Sequence, residues 1–144
     1  MSRPRGDAGN ALVEFTYLAV LLMVPLVYVL LAGFFVQRAA FGVTEAARQA
    51  GRAYARAGSE SEGTARAAAA AALALRDQGI TGSRPPTITC LGGPCLQPGS
   101  RVRVRVSYTV LLPVFPAVLG RGRSPGIPVT ATHIEVVDRF GPSR

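Results

Sequence analysis

Hydrophobic positions along the chain fall into three regimes. Residues 15–36 are continuously apolar, residues 37–57 are apolar on one helical face, and the chain beyond residue 79 turns to alternation with period two. The first regime is 22 residues without a charge. As a helix it reaches roughly 33 Å against a hydrocarbon core of about 30 Å. Fourteen of those residues are Leu, Val or Phe, together about −6 kcal/mol on the membrane-insertion scale. Glu14, just upstream, costs at most about 3 kcal/mol on that scale, so insertion still wins. Pro25 predicts a kink rather than a stop, and Gly33 is tolerable in lipid. Two readings compete with a membrane span: a buried core helix, and a cleaved secretory signal with Arg3 and Arg5 as its charged flank. Against the signal, the apolar run exceeds the usual length and no clean A-x-A site follows it.

From residue 37 to 57 the helical period continues, with Gly42 and Gly51 the only potential breakers. At about 100° per residue, Arg38, Glu45, Arg48, Arg52 and Arg56 share one arc. Opposite them lie Ala39, Ala40, Val43, Ala46, Ala47, Ala50, Ala53, Tyr54 and Ala57. A stripe of such small side chains lets a partner approach closely. The favoured partner is the chain's own sheet, with another subunit as the alternative. Gly58 ends the pattern, and Ser59 followed by Glu62 is a capping-box signature for a second helix running to about Gln78. The alanine run at 65–74 is strongly helix-forming but poorly amphipathic, so Leu73 and Leu75 are its expected anchors before Gly79 closes it.

Strands are expected at residues 87–91, 101–112 and 127–137, the last two as antiparallel partners. In the second, Arg101, Arg103 and Arg105 alternate with Val102, Val104 and Val106, which leaves one face wet. Between the second and third, residues 113–126 carry Val114, Phe115, Val118 and Leu119 in a loop expected to fold onto the core, with subunit or membrane contact as the alternative. The fold class is therefore α+β: a long N-terminal helix, transmembrane and extending outward, and a second helix packed on a small antiparallel sheet of about three strands.

Composition changes this picture in two places. The formal charge is +8, carried by sixteen basic residues that are all arginine. Such a charge suits an anionic partner such as phospholipid, an acidic polymer or nucleic acid. The lack of lysine points to genomic base composition rather than to sixteen sites, and dedicated nucleic-acid binding is not expected. Cys90 and Cys95 are the only cysteines, and Gly92, Gly93 and Pro94 between them can fold the chain back for a disulfide. That pairing argues for an oxidising compartment, with two free thiols as the alternative. Arginines flank the apolar run on both sides and do not set its orientation; the cysteine pair favours a cytoplasmic leader and an external C-terminal part. Zinc is not expected, because two cysteines and the single His133 fall one ligand short. His133 has no Ser or Cys motif beside it and reads as a strand-surface residue. Glu45, Glu60, Glu62, Asp77, Glu135 and Asp138 form no metal-loop spacing, and the glycines form no phosphate loop. The chain reads as non-enzymatic and without a cofactor.

The sharpest motif is Gly9-Asn10-Ala11-Leu12-Val13-Glu14-Phe15, where a small residue closes a short basic leader and a glutamate followed by an aromatic stands at the mouth of the apolar run. This resembles a prepilin-type cleavage site. With the span, the alanine-rich helix that leaves it, and a closing stretch from Ala131 to Phe140 similar to a C-terminal strand, the chain resembles the TadE-like pseudopilins of the tight-adherence (Flp-type) pilus system. The resemblance implies cleavage between Gly9 and Asn10 by a membrane aspartyl peptidase. It divides the chain into a leader at 1–9, a retained transmembrane helix with its extension at 10–57, and an extracytoplasmic α+β domain at 58–144. The implied role is that of a minor pilin taking part in assembly of an adhesive Tad/Flp-type pilus. Its implied partners are the membrane, the prepilin peptidase, other pilin or pseudopilin subunits and the Tad secretion machinery. Its implied place is the cell membrane as a single-pass protein, with incorporation into the pilus a further expectation. Glu14 has a physical reason in this setting: cleavage leaves an ammonium on Asn10 near the hydrocarbon edge, and a carboxylate one turn on can neutralise it in the same chain or in a neighbour. Two rivals stand beside this reading. One is a secreted, disulfide-bearing protein released by signal peptidase; the other is a membrane-anchored module capturing an anionic polymer or DNA.

Overall fold

The computed structural model describes residues 7–111 and 126–139. Along the chain these form α1 (Asp7–Ala55), α2 (Glu60–Asp77), β1 (Thr87–Leu91), β2 (Arg101–Leu111) and β3 (Gly126–Val136). The arrangement is α+β, as expected. Val114, Phe115, Val118 and Leu119, expected to fold onto the core, lie outside the described residues. Two compact units divide the chain, Met1–Phe34 and Phe35–Arg144, so the second half of α1 belongs with the sheet.

Within the larger unit, the alanine stripe of α1 is the floor of the core. Ala39, Val43, Ala46, Ala47, Ala50, Tyr54 and Ala57 are buried, whereas Arg38, Glu45, Arg48, Arg52 and Arg56 are exposed. The favoured partner is the one found, since the stripe shares a core with α2 and with Val102, Val104, Val106 and Val110 of β2. Gly42 and Gly51 do not break the helix; they mark where other parts of the domain touch it. A methyl group on Gly51 would stand 3.2 Å from His133 Cδ2 and 3.3 Å from Glu135 Cβ, and one on Gly42 would stand 3.0 Å from Ile80 Cδ1.

Helix α2 meets α1 by the same device. Its buried residues are Gly63, Ala67, Ala71, Ala74 and Leu75, a stripe spaced by four, four, three and one along the chain. The alanine run therefore has a buried face, built from side chains too small to register as hydrophobic periodicity. Leu75 is 1% exposed and anchors the helix, but Leu73 is 62% exposed and does not. Adjacent odd positions on a helix lie about 200° apart, so the two leucines cannot share a face. At the start, Ser59 Oγ accepts from the Glu62 N–H at 3.3 Å. The Glu62 carboxylate reaches one residue beyond a standard capping box, accepting from the Gly58 N–H at 2.8 Å. At the end, Gly79 (φ +67°) allows the Ile80 N–H to bond Leu75 O at 2.9 Å and its own N–H to bond Arg76 O at 2.7 Å, the Schellman pattern. The Arg38 guanidinium of α1 lies against Gly79, where a cation faces the negative end of the α2 dipole.

The sheet is an antiparallel meander in the order β1-β2-β3. Its register pairs Cys90 with Val102 and Ile88 with Val104 on one side, and Val102 with Glu135 and Val104 with His133 on the other. The inward row thus contains His133 and Glu135. His133, expected on a strand surface, is half-buried beside Gly51 with Nε2 3.0 Å from Glu135 Oε2. The end of β3 is tied to the turn before β2 by Gly99 N–H to Val137 O and Val137 N–H to Ser100 O, both 2.9 Å.

Two outcomes test this packing. Gly63→Ala should lower stability by about 1–3 kcal/mol through overpacking, outweighing the roughly 1 kcal/mol of helix propensity it gains, because its methyl would stand 2.9 Å from Tyr54 Cδ2. Denaturant unfolding of the full chain in micelles reads this, with the exposed Thr64→Ala as control. The second outcome concerns pH. Burial pushes the Tyr54 phenol above its ordinary value, and the Glu60 carboxylate adds in the same sense. An acid whose folded pKa is raised contributes stability fully below the unfolded value near 10 and loses it as pH climbs through the folded value. The unfolding midpoint should therefore fall above about pH 10, and Tyr54→Phe should flatten that part of the decline.

Candidate functional site

In the smaller unit, α1 is an uninterrupted helix through Pro25, which does not end it. Seventeen large apolar side chains between Leu12 and Phe35 are exposed, Phe15 at 73% and Leu22 at 74% among them. At about 1.5–3 kcal/mol for each side chain left in water, the penalty is on the order of tens of kcal/mol. A chain whose whole folding stability is of order 10 kcal/mol does not tolerate that. The helix is long and apolar enough to cross a membrane, and among the described residues none of its most apolar window is buried inside the protein. The threonine hydroxyl in it is satisfied within the helix: Thr16 Oγ1 donates to Leu12 O at 2.8 Å, one turn back, as a hydroxyl does where no water competes.

The residues of the junction all fall on this helix. Gly9 and Asn10 lie in the first turn of α1, whose helical backbone starts at Asp7. Glu14 follows Asn10 by four residues, which is roughly 6 Å along the axis, and both Glu14 and Phe15 are exposed. Among the described residues no side chain is hydrogen-bonded or ion-paired to Glu14. Its carboxylate is thus available to an amine in the preceding turn or to a second helix.

Cys90 and Cys95 form a disulfide, with Cα atoms 4.9 Å apart. Gly92 (φ +86°) and Gly93 (φ +140°) supply the left-handed turn that brings the sulfurs together. Cys90 ends up exposed and Cys95 is 2% exposed, so the ring fastens the turn after β1 to the core. Ser100 Oγ continues the tie by donating at 2.7 Å to Cys95 O and Gln97 O.

An open cleft of about 340 Å³ lies between the last turn of α1 and the end of β3, lined by Arg52, Ala55, Arg56, Glu135, Val136 and Asp138. It mixes both signs of charge, and its described lining contains no serine, cysteine or histidine. Among the described residues no three His, Cys, Asp or Glu side chains are placed to hold a metal ion. Sequence reasoning missed the seat of His133 and Glu135 on Gly51; a glycine interrupting an alanine stripe was the only sign of it.

Comparison of the chain with protein-family models, with curated proteins and with solved structures finds no match. The reading of this site therefore rests on its chemistry.

The disulfide gives a direct test. Reduction should lower stability by about 2 kcal/mol for so short a ring, seen as a lower unfolding midpoint with reductant. The variant C90A/C95A should match the reduced protein and ignore reductant.

Proposed function

We propose that the chain is a membrane-anchored, pilin-like subunit, matured by removal of residues 1–9 and active through assembly rather than turnover. The observation that carries this reading is one unbroken helix in two environments: among the described residues the most apolar window of its first half is not buried, while its second half is buried by the chain's own sheet and second helix. A secretory signal would be removed with the apolar segment, but here that segment is continuous with a helix the outer domain needs for its core. Cleavage between Gly9 and Asn10 takes only Asp7–Gly9 from the start of α1 and leaves the apolar and domain halves joined. The bared helix can then exchange lipid for the helices of other subunits.

In this reading the leader stays cytoplasmic and the disulfide-bearing domain lies outside, where Cys90 and Cys95 can oxidise. Glu14 neutralises the Asn10 ammonium, in its own chain or in the next subunit, and Phe15 enters the hydrocarbon beside it. The resemblance to TadE-like proteins suggests a minor pilin or pseudopilin of a Tad/Flp-type pilus, with a prepilin peptidase and other subunits as partners. The sheet domain supports the minor role, because its bulk limits dense packing along a filament.

Intact mass and N-terminal sequencing of the membrane-extracted protein should give Asn10 as first residue with residues 15–36 retained. A mature chain starting near Phe41 would mean release by signal peptidase and end the reading. Glu14→Ala should leave membrane insertion intact while impairing processing, assembly or both, followed by gel mobility and by co-purification of partner subunits.

A further inference from the structure

The outer face of the sheet carries a line of positive charge that no acidic side chain among the described residues pairs. Arg101, Arg103 and Arg105 are exposed and alternate with buried valines, so three guanidinium groups leave the same face of the central strand, roughly 7 Å apart. Register fixes their neighbours as Leu91, Thr89 and Thr87 on β1 and Val136, Ile134 and Thr132 on β3. None of the six is acidic, although an opposite charge directly across is the stabilising choice in a sheet and repeated like charge is not. The ion pairs of Arg66 with Glu62 and of His133 with Glu135 do not involve these arginines. Arginine stems can cover Ile134 and Val136, which explains the methylenes and leaves the charged heads without partners.

Hydroxyls border the charges on both sides. Thr87 and Thr89 flank the arginine line from β1 and Thr132 from β3, all exposed, and Ser107 and Thr130 extend the polar surface, joined at 3.1 Å. We propose that this face binds an acidic polysaccharide. Carboxylates repeating along a sugar chain would meet the guanidinium forks, which match them in geometry and charge, and sugar hydroxyls would meet the threonines. A single-stranded nucleic acid fits less well, because base stacking needs aromatic platforms and this face has none among its described residues. Laterally mobile lipid headgroups would not call for a line of charges bordered by hydroxyls. The binding requires only that solvent reach this face and does not depend on the maturation of the N-terminus.

The test uses the full chain in detergent micelles, immobilised, with polygalacturonate as probe. Neutral dextran, single- and double-stranded DNA and vesicles of anionic phospholipid serve as comparisons. Polygalacturonate should be retained at about 50 mM salt and bound several-fold more weakly at about 200 mM. R101Q/R103Q/R105Q should weaken retention about tenfold with an unchanged unfolding midpoint, whereas R48Q/R52Q/R56Q, on α1 and the turn that follows it, should change it less than about twofold. No retention at low salt, equal losses from the two triple variants, or tighter binding of DNA or vesicles than of polygalacturonate would each overturn the proposal.

Discussion

A helix whose first half is long and apolar enough to cross a membrane, and whose second half is buried by its own domain, sets the terms for this molecule. Inside lipid every backbone N–H and C=O has to be paired within the segment, and α1 meets that demand by running without a break from its apolar half into its domain half. Pro25 gives up one donor without ending the helix, and Thr16 closes its hydroxyl on Leu12 O. The same continuous backbone carries the alanine stripe that α2 and the sheet cover.

Small side chains decide how it is covered. Alanines contribute little transfer free energy each, so stability has to come from area buried at close approach, where dispersion contacts are many. Gly63 brings α2 onto Tyr54, Gly51 admits His133 and Glu135, and Gly42 admits Ile80. The valines of β2 fill the remaining space: Val102, Val104 and Val106 are at most 1% exposed. Such a core has little slack. An added methyl at a glycine is felt more strongly here than in a core of flexible leucines and methionines, where neighbours can shift.

The sheet's two faces divide the chemistry. Inward, β2 offers valines and Tyr108, and the polar His133 and Glu135 satisfy each other beside the helix. Outward, its arginines stand among threonines and aliphatics. The disulfide and the Gly99 to Val137 backbone pairing hold one end of this sheet, so the arginine line is presented from a braced strand rather than a loose one.

Much of this was legible before any coordinates. Period two in residues 101–106 determined which side of β2 is wet, the uncharged run of 22 residues determined a membrane-length helix, and Ser59, Glu62 and Gly79 determined the bounds of α2. These are local matters, settled by side-chain spacing and by backbone groups that need partners within a few residues. Leu73 was read as an anchor and is not, because an alanine helix can bury any face and only α1 chose which. His133 was read as a surface residue because strand periodicity is symmetric: it says that alternate residues share a side, and only the register against Val104 and the notch at Gly51 decided which side meets the helix.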